Sequence, residues 1–64
     1  MLIQCPRCLH TSDSENWNKE TSYQYGNSSI TIEEAHEIKK LDEYWFCCPS
    51  CHQKGISGDK LILT

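Results

Sequence analysis

The apolar and polar positions along the chain fall into short stretches instead of long periodic segments. Leu2 and Ile3 form a brief apolar run, which predicts a strand over residues 1–4 that delivers Cys5. After Leu9 the sequence is polar to about Lys19, with Thr11-Ser12-Asp13-Ser14-Glu15-Asn16 at its centre and Trp17 as its one large apolar residue. This predicts a loop that folds Trp17 back over the neighbouring cysteines. Two alternating runs follow, Thr21 to Tyr25 and Ser28 to Ile32, with Gly26-Asn27 between them. Gly-Asn suits a two-residue turn that needs positive φ. The register then places Tyr23, Tyr25, Ile30 and Ile32 on one face and Ser22, Gln24, Ser29 and Thr31 on the other. The pattern predicts a β-hairpin over about residues 20–32.

A short helix is predicted next, over about residues 32–41. Thr31 and Glu34 stand at capping-box spacing. Glu33 and Glu34 in the first turn and Lys39 and Lys40 in the last match the helix dipole at both ends. Ile32, Ala35, Ile38 and Leu41 recur every three residues, so their stripe drifts around the axis and the helix must be brief. Thr31 cannot be both a strand residue and a cap, so one of the two elements must give way there. Tyr44-Trp45-Phe46-Cys47 reads as a strand leading into Cys48, and Lys60 to Thr64 as a last strand after the turn residues Gly55 and Gly58. The apolar run Leu61-Ile62-Leu63 calls for cover on both faces, from the body of the domain or from a second copy in a homodimer.

Size makes the cysteines decisive. A chain of 64 residues is read as one domain, residues 1–64, and such a chain buries only roughly 60% of its unfolded surface, so it needs a cross-link. Cys5-Pro6-Arg7-Cys8 and Cys48-Pro49-Ser50-Cys51 each curl two sulfurs into the same space and leave backbone N–H groups free to donate to them. Together they predict one tetrahedral site with Cys5, Cys8, Cys48 and Cys51 as ligands and one structural Zn2+ as the cofactor. The alternative is a pair of disulfides in a secreted mini-protein. Met1-Leu2-Ile3-Gln4 has neither the basic segment nor the apolar length of a signal peptide, and no stretch is long enough to span a membrane. The expectation is therefore a cytoplasmic protein with reduced thiols and no membrane partner. Asn27-Ser28-Ser29 matches a glycosylation sequon but is read as a turn.

Two knuckles, with an aromatic strand before the second, resemble the zinc-ribbon group of small metal-binding domains. Cys5-Pro6-Arg7-Cys8 and Tyr44-Trp45-Phe46-Cys47-Cys48-Pro49-Ser50-Cys51 carry the likeness, and the rest of the stretch between Cys8 and Cys48 lies outside it. The resemblance implies a small metal-stabilised α+β fold in which an antiparallel sheet brings the knuckles together, with the hairpin and the helix inserted. It also implies a docking role in transcription, translation or regulation. Zinc ribbons often carry glycine directly after the second cysteine of each knuckle, where this chain has Leu9 and His52. Left-handed backbone at Leu9 would be strained, so an altered first knuckle is expected. Rubredoxins are also similar, pairing C-x-x-C with C-P-x-C in a small acidic protein. Trp45 and Lys60 fit that pattern, but the glycine and tyrosine after the first rubredoxin knuckle are missing and no central helix belongs there.

The charge balance bears on partners. Nine acidic and six basic residues give a formal net charge of −3, and four thiolates on one divalent ion would make it more negative still. Sequence-independent nucleic-acid binding depends on Lys and Arg, so the leading expectation is a zinc-binding regulator or adaptor that acts by binding another protein. The alternative is a nucleic-acid-binding zinc ribbon that uses the knuckle end, with Arg7, His10, His52 and Lys54 as the partner-contacting residues. A lesser alternative is a rubredoxin-like iron electron carrier. A closed tetracysteine site and the lack of a nucleophile beside a base point away from an enzyme. Cys47 is expected to point away from the ion as a small buried residue, and His10 and His52 to stand near the site without ligating. The aromatic residues are expected to supply the core, and Glu33, Glu34, Glu37, Asp42 and Glu43 a solvated acidic face.

Overall fold

Each cysteine pair sits in the turn of a β-hairpin. β1 (Leu2–Gln4) runs into Cys5, and β2 (Thr11–Asp13) returns antiparallel to it, with Leu2 opposite Asp13, Ile3 opposite Ser12 and Gln4 opposite Thr11. β3 (Trp45–Phe46) runs toward Cys48, and β4 (Ile56–Ser57) returns with Trp45 opposite Ser57 and Phe46 opposite Ile56. β5 (Ile62–Leu63) pairs with the other side of β1, Ile3 opposite Leu63 and Gln4 opposite Ile62. A three-stranded antiparallel sheet ordered β2-β1-β5 and a separate two-stranded ribbon β3-β4 result. The computed structural model describes residues 1–26 and 29–64. Over these the protein is a small α+β fold with antiparallel strands, two helices and a cluster of four cysteines.

The inserted β-hairpin does not form. Its first arm, together with most of the predicted loop before it, is a helix, α1 (Ser14–Tyr25). Asp13 caps it by accepting from the Glu15 N–H at 3.0 Å. Glu20 and Gln24 pair along its surface at 2.6 Å, as do Glu15 and Lys19 at 3.6 Å. Its buried residues are Ser14, Trp17 and Thr21, spaced three and four apart, so one face turns inward. The alternation through Tyr23 and Tyr25 loses to this spacing because Thr21, polar in the sequence, is the better anchor. Its hydroxyl donates to Trp17 O at 2.7 Å and accepts from the Cys47 N–H at 3.0 Å, while Tyr23 remains 86% exposed. Gly26, with φ 94°, ends the helix instead of opening a hairpin turn, its N–H donating to Ser22 O at 2.8 Å. Asn27 and Ser28, the rest of that expected turn and the start of its second arm, lie outside the described residues.

The second helix starts where its capping box predicts but stops early. α2 spans Ile32–Glu37, with the Thr31 hydroxyl accepting from the Glu34 N–H at 3.1 Å and the Glu34 carboxylate reaching back to the Thr31 N–H. Between strand residue and cap, Thr31 is therefore the cap. The helix ends short of Leu41 because Lys39 turns left-handed, φ 58°, and the last carbonyls are taken up by Lys39 N–H to His36 O and Lys40 N–H to Ala35 O, both near 3 Å. Leu41 belongs instead to a separate 3-10 turn, Leu41–Glu43. α1 holds α2 through polar contacts: the Glu33 carboxylate accepts from Ser14 Oγ and from Asn18 Nδ2, and Asn18 Oδ1 accepts from the Ile32 N–H at 2.9 Å. The Ser14 hydroxyl, then the Asn18 amide, holds the Glu33 carboxyl below its usual range.

The core gathers Ile3, Cys5, Trp17, Ile32, Ala35, Phe46, Cys48, Ile56 and Leu61. Of the six aromatic residues only Trp17 and Phe46 are fully buried; Tyr23, Tyr25 and Trp45 are exposed, which corrects the expectation that they form the core. The last strand is likewise covered less than its composition suggests. Leu61 is buried, but Ile62 and Leu63, on the edge strand β5, are both more than a third exposed. Gly58 is required for space. A Cβ there would overlap the Leu41 carbonyl, against which the 3-10 turn Gly58–Lys60 packs. Gly58→Ala is therefore expected to push these turns apart and cost about 1–3 kcal/mol, read as a lower denaturation midpoint in urea with an unchanged slope.

Candidate metal centre

The two cysteine turns are built alike. In the first, the Cys5 N–H donates to His10 O at 3.0 Å and the Leu9 N–H to Cys5 O at 2.9 Å; in the second, the Cys48 N–H donates to Gln53 O and the His52 N–H to Cys48 O, both at 3.0 Å. Each turn also aims two backbone N–H groups at its first sulfur. Arg7 and Cys8 donate to Cys5 Sγ at 3.3 and 3.4 Å, and Ser50 and Cys51 to Cys48 Sγ at 3.3 and 3.4 Å. Closing such a turn needs left-handed backbone directly after the second cysteine. Leu9 and His52 both adopt it, φ 65° and 60°. The first knuckle is thus not altered for want of glycine: the chain accepts the strain, of the order of 1–2 kcal/mol per residue, to keep the geometry.

The hairpins bring the two turns face to face. The sulfurs of Cys5, Cys8, Cys48 and Cys51 all lie within 4.8 Å of one another. Cys5 Sγ is 3.9 Å from Cys51 Sγ, and Cys8 Sγ is 3.7 Å from Cys48 Sγ. Four sulfurs bonded at about 2.3 Å to a tetrahedral ion would sit about 3.8 Å apart. These separations are far beyond the S–S bond length of about 2.05 Å, and all five cysteines are free thiols. Cys5 and Cys48 are buried while Cys8 and Cys51 are exposed, so each turn contributes one inner and one outer sulfur. The donor set and its spacing position these four residues to bind a metal ion.

α1 sets the approach of the two turns. Trp17 Nε1 donates to Ile3 O at 3.3 Å, in the strand that enters the first turn, and Thr21 Oγ1 accepts from the Cys47 N–H, directly before the second. The sequence places Trp17 over the cysteines, but from a loop and not from a helix; Thr21 was missed, although Asp13-Ser14 as a cap and Trp17 and Thr21 four apart were there to be read. Cys47, directly after β3, is buried and outside the sulfur cluster. Burial pushes its thiol up, as it does the phenol of Tyr25 beside it.

The remaining candidate residues lie outside the sulfur cluster. His52 Nδ1 lies 3.1 Å from Glu20 Oε2 on α1. The Gln24 amide, then His52, holds the Glu20 carboxyl below its usual range. His10 lines a groove with Lys19, Glu20 and Tyr23, whereas Arg7 lines a different one with Lys60. Lys54 is exposed beside Gly55. Neither histidine belongs to the sulfur cluster. No known family model, characterised protein or solved structure matches the chain.

Protons compete with a metal for these sulfurs. Burial raises the Cys48 thiol to about 12, while the backbone N–H of His10 leads the lowering of Cys8 to about 7. At neutral pH a thiol at Cys48 must lose its proton for an ion to bind, so affinity falls as pH falls. A competition titration with a chromophoric chelator between pH 8 and 6 should show a loss of about tenfold or more per pH unit. Leu9→Gly should relieve the left-handed strain of about 1–2 kcal/mol at a residue 62% exposed. Glycine's extra unfolded-state entropy offsets about 0.5–1 kcal/mol of that, leaving a gain of up to about 1 kcal/mol in chemical denaturation of the metal-loaded protein.

Proposed function

We propose that the chain is a zinc-ribbon-like binding module in which one zinc ion, held by Cys5, Cys8, Cys48 and Cys51, fixes the fold and a protein partner docks on the exposed surface. The observation that carries this reading is the duplicated turn, with four sulfurs at tetrahedral spacing and backbone N–H groups already directed at two of them. Four protein ligands fill a tetrahedral shell and leave no position for water or substrate, which suits a structural role for the ion. A docking role accounts for the aromatic residues left outside the core. Trp45 is 57% exposed, and with Tyr25, Tyr44 and Ile30 it lines an open groove of about 610 Å³. Exposed aromatics that border such a groove, on a chain short of core residues, suit an interface better than a monomer surface.

The reading predicts a colourless purified protein with one equivalent of zinc. A red protein holding ferric iron would instead favour electron transfer. Removal of the ion by a strong chelator should abolish the helical circular dichroism, since structural zinc contributes about 10–16 kcal/mol in comparable small domains. Trp45→Ala should leave zinc content and helicity unchanged while losing a protein captured from lysate by the wild type. Capture that disappears on nuclease treatment would overturn the protein-docking role.

A further inference from the structure

We infer that Cys51 is a modification site, the sulfur of the cluster that a peroxide oxidises first, and that Cys5 of the opposite turn resolves it into a Cys5–Cys51 disulfide that empties the metal site. This rests on the reading of the four cysteines as ligands of one zinc ion and gives that site a second, oxidised state.

Access and hydrogen bonding single out the sulfur. Oxidation of a thiolate follows its exposure and its electron density. Metal binding requires all four sulfurs to be deprotonated, so the fraction of thiolate no longer separates them, and what differs is access and the donors that each sulfur carries. Cys5 and Cys48 are buried, and each accepts two backbone N–H groups, from Arg7 and Cys8 in the first turn and from Ser50 and Cys51 in the second. Cys8 and Cys51 are exposed. The His10 backbone N–H lies against Cys8, whereas among the described residues no backbone N–H donates to the sulfur of Cys51. An N–H donor draws charge from a thiolate and weakens it as a nucleophile. Cys51 therefore combines the access of an outer sulfur with the least compensated charge.

The same geometry names the resolving sulfur. Cys51 Sγ lies 3.9 Å from Cys5 Sγ, and Cys8 Sγ lies 3.7 Å from Cys48 Sγ, so each exposed sulfur faces a buried one across the two turns. Cys47, the fifth thiol, is buried outside the cluster and does not compete.

Hydrogen peroxide supplies the oxidant. The Cys51 thiolate attacks one peroxide oxygen: an S–O bond forms, the O–O bond breaks, and the departing hydroxide takes up a proton to become water. The Cys5 thiolate then attacks the sulfenic sulfur of Cys51. An S–S bond forms, the S–O bond breaks, and a second hydroxide leaves as water after taking up a proton. The two sulfurs have given up two electrons, and the peroxide has been reduced to two waters. Cys8 and Cys48 remain as thiolates, half of the shell that a structural zinc site needs, so the site no longer holds the ion.

The test adds hydrogen peroxide stepwise, from below one equivalent, to the zinc-loaded full chain. Zinc release is followed with a chromophoric chelator too weak to strip the untreated protein. Sulfenic acid is trapped with dimedone, and bridges are mapped by mass spectrometry without reduction; trypsin cleaves after Arg7 and separates Cys5 from Cys8, and fragmentation distinguishes Cys48 from Cys51. The dimedone adduct at Cys51 should exceed that at Cys8 by about threefold or more, with Cys5 and Cys48 unlabelled. Without dimedone, each zinc ion released should match one disulfide, Cys5–Cys51, and dithiothreitol with added zinc should restore the metal content. The inference is overturned by first modification at Cys8 or at a buried sulfur, by a first bridge within one turn or between Cys8 and Cys48, by zinc retained in excess peroxide, or by zinc loss that dithiothreitol does not reverse. A protein that holds no zinc before peroxide is added fails the metal reading instead, so the two failures are distinguishable.

Discussion

Four sulfurs held within 4.8 Å of one another constrain everything else in the molecule. As thiolates they repel, and as thiols the buried pair gives up most of the electrostatic reason for its backbone N–H contacts. A divalent ion resolves both problems, because the charges it neutralises are the ones the turns are shaped to stabilise. The convergence also closes a long loop, from residue 8 to residue 48, so the loop entropy of a marginal 64-residue fold is offset at one point. The sheet that joins β1 to β5 and the ribbon β3-β4 then follow from which segments flank that point.

α1 is the brace that makes the convergence reproducible. Trp17 bonds the strand entering the first turn, and Thr21 bonds the backbone entering the second. Both reach inward from one helical face, so a rigid rod fixes the separation of the two turns without contributing a sulfur. This resembles the way neighbouring groups orient the ligands of a metal site, here applied to strands. His52, drawn to Glu20 on the same helix, ties the second turn to α1 from outside.

The strain and the exposed surface both follow from how few residues the chain has. Left-handed backbone at Leu9 and His52 is tolerated because the hydrogen bonds closing each turn over-determine it. Aromatic residues that a larger protein would bury, Tyr25 and Trp45, stay outside because two hairpins, two helices and a cysteine cluster leave no interior to hold them. A small acidic body thus presents an aromatic groove beside one bordered by Arg7 and Lys60, the two meeting at Gly55.

What the sequence by itself determined is local or stoichiometric: the paired cysteines with proline between them, the strands that lead into Cys5 and Cys48, and the Thr31–Glu34 box that starts α2. Each depends on residues within a few positions of one another or on cysteine pairing that has one economical solution. Tertiary structure decided the rest. The segment Thr21 to Tyr25 alternates as a strand would, yet it is helical, because Thr21 satisfies two partners that only the folded chain brings to it. Likewise Ile32 is buried on a helix, not on a hairpin. Leu9 became left-handed because the hydrogen bonds that close its turn offset the strain. Arg7 and Lys60, 53 positions apart, line one groove because the fold brings the first cysteine turn to the turn after β4, a proximity that no local pattern encodes.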